Sequence, residues 1–167
     1  MITLRPAAPN DVQAIAILLG EVDRFYGATE DEPVAERLPM IREVLFGNPP
    51  SAHALLAWDD DVLVGLASYS VLWPAAGVTR SLFLKELYVT ETTRRHGAGQ
   101  MLMSELCRIA LKTQCSRVEW TTDADNPISQ QFYAKIGVPP DTSKLLYRVS
   151  GDALARLATS VAAPAGG

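Results

Sequence analysis

Cysteine is scarce in this chain: 167 residues contain two, Cys107 and Cys115. Two thiols build no disulfide framework, and no Cys-x-x-Cys or Cys/His spacing is present to hold a metal. Basic charge is not in excess either. Fifteen Lys and Arg stand against 19 Asp and Glu, a formal charge of −4 with a sequence pI of about 5.1. That balance lacks the electrostatic footprint of a protein that grips nucleic acid or an anionic membrane surface. No run of 18 apolar residues occurs, so no membrane-spanning helix is expected. The first residues, Met-Ile-Thr-Leu-Arg-Pro, have neither the charged nor the apolar region of a signal peptide. What is present is globular: 48% hydrophobic and 20% charged residues exclude a disordered chain. At this length folding buries roughly 70% of the surface an unfolded chain exposes. The expectation is one cytoplasmic domain over residues 1–150, with a partly disordered extension over 151–167 that frays from Ala162.

Along the chain, Ile2 to Leu4 reads as a short strand stopped by Pro6. Asn10 or Asp11 is placed to cap a helix in which Val12, Ile15, Ile17, Leu18 and Val22 recur at helical spacing up to Gly27. A second helix follows the acidic run Glu30 to Glu36, with Leu38, Ile41, Val44, Leu45 and Phe46 as its apolar side. His53–Trp58 and Val62–Leu72 read as two strands around the acidic turn Asp59-Asp60-Asp61, and Ser81–Thr90 as a third. A helix carrying Leu102, Leu106, Ile109 and Ala110 comes next, then a strand at Val118–Thr121. Pro127 to Lys135 reads as a helix that Gly137 ends in a left-handed conformation, and Leu145–Val149 as a last strand.

The loop from Val89 to Met101 carries the chemistry. Two glycines two apart, between a strand and a helix start, allow positive φ and a close backbone approach to a ligand. Helix-start amides with basic neighbours favour an anion such as a pyrophosphate. An ordinary tight turn would use the same residues. Neither a Walker pattern nor a full Gly-x-Gly-x-x-Gly is present.

Context narrows the choice. Glu86-Leu87-Tyr88-Val89 followed by Arg94-x-x-Gly97-x-Gly99 resembles motif A of the GCN5-related N-acetyltransferases (GNAT). Beyond it, Asn126-Pro127-Ile128-Ser129-Gln130-Gln131-Phe132-Tyr133-Ala134-Lys135-Ile136-Gly137-Val138 is similar to that family's second signature, an Asn, an aromatic pair and Lys-x-Gly-Phe. Both halves stand in the family's order, one helix and one strand apart. Phe83 to Gly137 looks most like the spermidine/spermine or thialysine branch, which Cys115-Ser116 and Asn-x-x-Ser-x-x-Phe-Tyr share. Two departures stand out. Lys85-Glu86 replaces that branch's two adjacent acids, and Val138 replaces the usual Phe.

The resemblance implies an α/β fold: a mixed, mostly antiparallel sheet splayed at the acetyl-CoA site, with helices on both faces. It implies acetyl-CoA as co-substrate, no metal, and a homodimer. It also implies direct transfer of acetyl to a primary amine of a small cationic acceptor, a diamine, polyamine or lysine-like molecule. Peptide N-terminal or protein lysine acetylation, or a non-catalytic acyl-CoA-binding domain, are the alternatives.

Residue by residue, Leu87, Tyr88 and Val89 would pair with the pantetheine arm through their backbone. Arg94, Arg95, His96, Gly97, Ala98, Gly99 and Gln100 would surround the pyrophosphate, and Asn126 and Ser129 would hold the arm. Tyr133 takes the family's place for the acid that protonates the departing thiolate, unless it is a core aromatic beside Phe132. An alkylamine of pKa about 10.4 is almost fully protonated at neutral pH, so a carboxylate is needed to take or anchor that charge. Glu86 is the candidate; a salt bridge with Lys85 is its plainer reading. Because neighbouring strand residues face opposite sides, Lys85 need not enter the groove that Glu86 lines. Tyr26, Glu21 and Glu30 fall where the acceptor wall belongs, although acidic runs also serve as solvated faces.

Overall fold

The computed structural model describes residues 1–159, divided into a first compact unit, 1–126, and a second beginning at Pro127. The first unit is a five-stranded sheet in sequence order: β1 (Ile2–Pro6), β2 (His53–Asp59), β3 (Val62–Leu72), β4 (Arg80–Val89) and β5 (Cys115–Trp120). Neighbours pair antiparallel from β1 to β4, while β4 and β5 run parallel. Parallel neighbours need a crossover, supplied here by α3 (Ala98–Lys112). The other helices of this unit are α1 (Val12–Phe25) and α2 (Val34–Phe46).

Each sheet face is covered because each helix has one apolar side. Val12, Ile15, Ala16, Leu18 and Val22 of α1 and Ile41 of α2 pack on Ala54, Leu56, Leu66 and Tyr88. Leu102 and Leu106 of α3 are fully buried, and α3 lies against the sheet strands. Ile17, which the apolar periodicity groups with the core residues, is half exposed.

The start of α1 differs from the capping expectation. Pro9–Asp11 forms a short 3-10 turn, and Asp11 has helical backbone angles with no side-chain cap on α1. Its carboxylate turns back instead, accepting from the Ala8 amide (2.7 Å) and from Arg5 Nη1 and Nη2 (2.6 and 2.7 Å). This pair, buried on the Asp11 side and open to solvent at Arg5, ties β1 to the helix whose far end reaches the candidate site.

In the second unit α4 (Pro127–Lys135) begins with proline, whose missing N–H costs a first helical turn nothing. It ends as expected at Gly137, with φ +82°. There the Val138 and Gly137 amides donate to Tyr133 and Ala134 carbonyls at 3.0 Å each, a Schellman closure. Leu145–Val149 is not a strand. Its own unit holds, among the described residues, helices and no other strand; an alternating apolar pattern becomes a strand only where a neighbour offers a ladder. A helix, α5 (Asp152–Thr159), follows where the sequence reading placed an extension. The frayed tail expected from Ala162 lies outside the described residues.

The Arg5 guanidinium, partly offset by burial, holds the Asp11 carboxyl below the usual range. A lowered folded-state pKa stabilises above the ordinary carboxylate range and is lost as pH falls through the folded value. Asp11→Ala is therefore expected to cost about 1–3 kcal/mol at pH 7. Urea unfolding at stepped pH should show the gap to wild type closing in acid.

Candidate functional site

The site begins with an irregularity in β4. Ser68 of β3 pairs with Glu86, but the next residue, Tyr69, pairs with Leu84, which leaves Lys85 as an extra, unpaired residue. Such a bulge shifts side-chain parity by one. Strict alternation would put Glu86 on the face of Leu82 and Leu84. The bulge moves it to the face of Tyr88 and Ser68, the one covered by α1 and α2. The alternation used to separate Lys85 from Glu86 thus breaks at Lys85 itself, which is exposed.

The second feature is a fork. Pairing of β4 with β5 ends at Leu84↔Trp120. Beyond it β4 continues through Val89, paired with β3 on its other side through Ala67↔Leu87, Leu66↔Tyr88 and Gly65↔Val89. The chain after Trp120 is a polar run that turns at Asp123, whose carbonyl accepts from the Asn126 amide (3.1 Å). Glu86 to Val89 therefore present a strand edge toward the gap. Gly65 allows the close packing behind it: a Cβ there would meet the Tyr88 carbonyl at 3.0 Å and Leu102 at 3.4 Å.

At the C-terminal end of β4 a 3-10 turn, Glu91–Thr93, leads into the glycine loop. Arg95 has φ +73° and Gly97 φ +87°, alternations that turn successive amides toward one side. Gly97 is the N-cap of α3, with no side-chain cap. The first helical bond is Met101 N to Gly97 O (2.9 Å), so the Ala98, Gly99 and Gln100 amides precede the helical ladder. They form an amide cradle suited to an anion. Arg95, His96 and Gln100 are exposed around it, with His96 Nδ1 3.2 Å from the Thr93 carbonyl.

Arg94 faces elsewhere. Its Nε donates to the Val89 carbonyl (3.1 Å), and its guanidinium lies 4.8 Å above the Phe25 ring and 5.6 Å from that of Tyr88. It lines a groove of about 500 Å³ between α1 and the ends of β3 and β4, together with Glu21, Phe25 and Tyr88. Phe25 in turn meets Tyr26 edge-on at 5.2 Å, and Tyr26 Oη donates to Glu86 Oε1 (3.3 Å). Burial pushes the Glu86 carboxyl above its usual range, against the Tyr26 hydroxyl, the Lys85 charge and the Leu87 amide. Burial, then the Glu86 charge beside it, pushes the Tyr26 phenol up to about 12.

Tyr26 and Glu86, both singled out in the sequence, are thus in contact, whereas Glu30 is exposed between the helices. Several neighbouring acids are already engaged. Arg37 Nη1 is 2.6 Å from Asp23, Arg37 Nε is 3.5 Å from Glu32, and Arg24 is 2.8 Å from Asp31. Among the described residues no ion pair involves Glu21, Glu30 or Glu36. Sequence reasoning passed over Phe25, Tyr26's support, and Asp123, whose charge acts on both Tyr26 and Glu86. The Phe25-Tyr26 pair before Gly27 was the available signal for the first; nothing local marks the second.

In the second unit Tyr133 is partly buried in α4, its ring edge-on to Phe132 at 5.2 Å. Ser129 is partly buried on the same helix, and Asn126 immediately precedes it. Among the described residues no cluster of His, Cys, Asp or Glu could hold a metal, and no helix is long and apolar enough to cross a membrane.

Known proteins are similar to this chain in sequence and in fold. Over 96 residues the chain is 27% identical to an L-ornithine N5-acetyltransferase of Arabidopsis thaliana, covering 58% of this chain and only 42% of that enzyme. It is 23% identical to the thialysine N-epsilon-acetyltransferase of Mus musculus over 166 residues, 93% of this chain and 96% of the mouse protein. Among solved structures, an integron cassette protein from the mobile metagenome of V. cholerae superposes with a TM-score of 0.87 at 25% identity, covering 95% and 98% of the two chains. A ribosomal-protein-alanine N-acetyltransferase from Brucella melitensis shares the fold at a TM-score of 0.73 and 19% identity, covering 90% and 100%. Residues 18–138, well over half the chain and including both the β4–α3 loop and α4, match the acetyltransferase (GNAT) family, and the chain belongs to that family.

Proposed function

We propose that the protein transfers acetyl from acetyl-CoA to a primary amine of a small cationic acceptor, by direct attack. The observation that carries this reading is the β4–β5 fork with an uncapped amide cradle at its mouth. An extended pantetheine arm is a strand-like ligand, and the open edge at Leu87, Tyr88 and Val89 offers it backbone groups. A pyrophosphate is the anion that the Ala98, Gly99 and Gln100 amides suit, with Arg95 and His96 beside them. GNAT proteins use acetyl-CoA, and the residues of this chain fit it.

In the proposed reaction Glu86 takes a proton from, or anchors, the acceptor ammonium. Its raised pKa makes it a better base than an ordinary surface carboxylate. The freed amine attacks the thioester carbonyl carbon, with the Val89 backbone amide as donor to the developing oxyanion. The carbon–sulfur bond breaks, the thiolate takes a proton from Tyr133, and the proton that the nitrogen sheds on becoming an amide restores the phenol. Asn126 and Ser129 hold the arm. The roles of Tyr133, Ser129 and Asn126 rest on the second signature, which the family match spans; that match crosses both compact units and supports reading residues 1–150 as one transferase domain.

For the acceptor, two relatives carry names that specify the side-chain amine of a small amino acid, ornithine and thialysine. With Asp23, Asp31 and Glu32 engaged by arginines, Glu86, Glu21 and Glu30 are left to meet it beside Tyr26. That small number of acids suits a mono- or dication over a long polycation. We further read the protein as a cytoplasmic homodimer, in keeping with its two free thiols and its family resemblance.

Thiol release from acetyl-CoA across ornithine, a lysine analogue, a short diamine, spermine and an N-terminal peptide tests the reaction and its acceptor together. The small amines should lead, with a preference that weakens as salt rises, because exposed charge pairs contribute only about 0–1 kcal/mol each. A salt-insensitive preference for the peptide would overturn the acceptor assignment. Replacing Gly99 by Val should weaken acetyl-CoA binding by calorimetry while leaving thermal unfolding near wild type. Tyr133→Phe keeps the ring and removes the hydroxyl; kcat should fall roughly 10²-fold, and an unchanged kcat would reduce Tyr133 to packing.

A further inference from the structure

Glu86 has a desolvated carboxylate and a neighbour whose only polar group points at it. Four groups act on that carboxylate. The Tyr26 hydroxyl comes from the end of α1, the Lys85 ammonium and the Leu87 amide from β4 itself, and the Asp123 carboxylate from the turn after β5. Three of them favour the ionised form; Asp123 opposes it. The Tyr26 hydroxyl lies within hydrogen-bond distance of that carboxylate, 3.3 Å from Oε1.

Tyr26 is also held in place. It caps α1, and its ring abuts Phe25, which abuts Tyr88 at 5.9 Å, with Arg94 lying over both. Arg94 in turn is bonded to the Val89 carbonyl. The aromatic row thus runs from the end of β4, where the glycine loop begins, back to Glu86. A side chain braced in this way restricts its partner's orientation at little further entropic cost.

We propose that Tyr26 is a positioning residue for Glu86, its hydroxyl donating to Oε1 so that the carboxylate stays ionised and in one orientation as an acceptor amine arrives. The proposal rests on the reading of Glu86 as the acceptor-side base or anchor. It assigns Tyr26 to Glu86 rather than to the acceptor directly. The phenol's own pKa, near 12, keeps it a donor throughout the working range and leaves it no role as the base.

The sign follows from linkage. Removing the donor leaves burial less opposed, so Glu86 holds its proton to higher pH. The test is kcat/KM against pH with a single diamine acceptor, for wild type, Tyr26→Phe, Glu86→Gln and the double variant. The acceptor titrates identically in all four, so differences report the enzyme. Tyr26→Phe is expected to lose on the order of tenfold at the acid end and little at the alkaline end, displacing the acid limb upward. Tyr26 is 54% exposed and its ring is retained, so the unfolding midpoint should stay near wild type. In the Glu86→Gln background the same change should have no further effect on the profile.

A Tyr26→Phe profile parallel to wild type, or a raised acceptor KM with the limb unmoved, would overturn the proposal while leaving the Glu86 reading intact, provided Glu86→Gln is impaired. A Glu86→Gln enzyme with a wild-type profile would overturn both.

Discussion

Strand β4 has two neighbours of opposite sense, and the candidate site exists because they release it at different points. Antiparallel β3 follows it to Val89; parallel β5 leaves after Leu84. A strand held on one side only keeps its shape while exposing an edge, and here the length of that edge is set by side chains on the held side. Leu66 opposite Tyr88 and Ala67 opposite Leu87 are buried on opposite faces, and Gly65 lets α3 and β4 close behind Val89. β5 ends at Trp120, and the chain goes on as Thr121-Thr122-Asp123 and turns toward Asn126.

The bulge at Lys85 matters as much as the fork. It falls at the point where β4 leaves β5, and it changes which face receives the strand's one acid. Without it Glu86 would share the face of Leu82 and Leu84. With it the carboxylate sits beneath α1, partly desolvated and touched by Tyr26. One extra residue thereby moves the carboxylate from the face of the buried Leu82 and Leu84 to a place beside Tyr26 and an open strand edge.

Arg94 illustrates how one basic residue in a loop differs from its neighbours. Arg94, Arg95 and His96 are consecutive and equally suited, as residue types, to an anion. The backbone separates them: Arg94 precedes the left-handed Arg95 and turns back to the Val89 carbonyl and two aromatic rings. It braces the end of β4 against α1, while Arg95 and His96 remain exposed near the helix start.

The chain's order of elements is local information, and the sequence alone determined it. Apolar periodicity, Gly-Asn-Pro-Pro after the second helix, the Gly97 turn and the Gly137 stop each act within a few residues, so five strands and four helices of the structure were legible, as was the loop that motif spacing singled out. Tertiary contacts decided the rest. Leu145–Val149 has the composition of a strand, but among the described residues its own unit offers no ladder to join. Asp11 has the chemistry of a helix cap, but Arg5, six residues away across the β1 turn, takes its carboxylate. The face of Glu86 depends on a register shift against β3, and its contact with Tyr26 spans 60 residues of sequence. A carboxylate's basicity is set by what surrounds it in space, and no spacing rule along β4 records which helix end will arrive there.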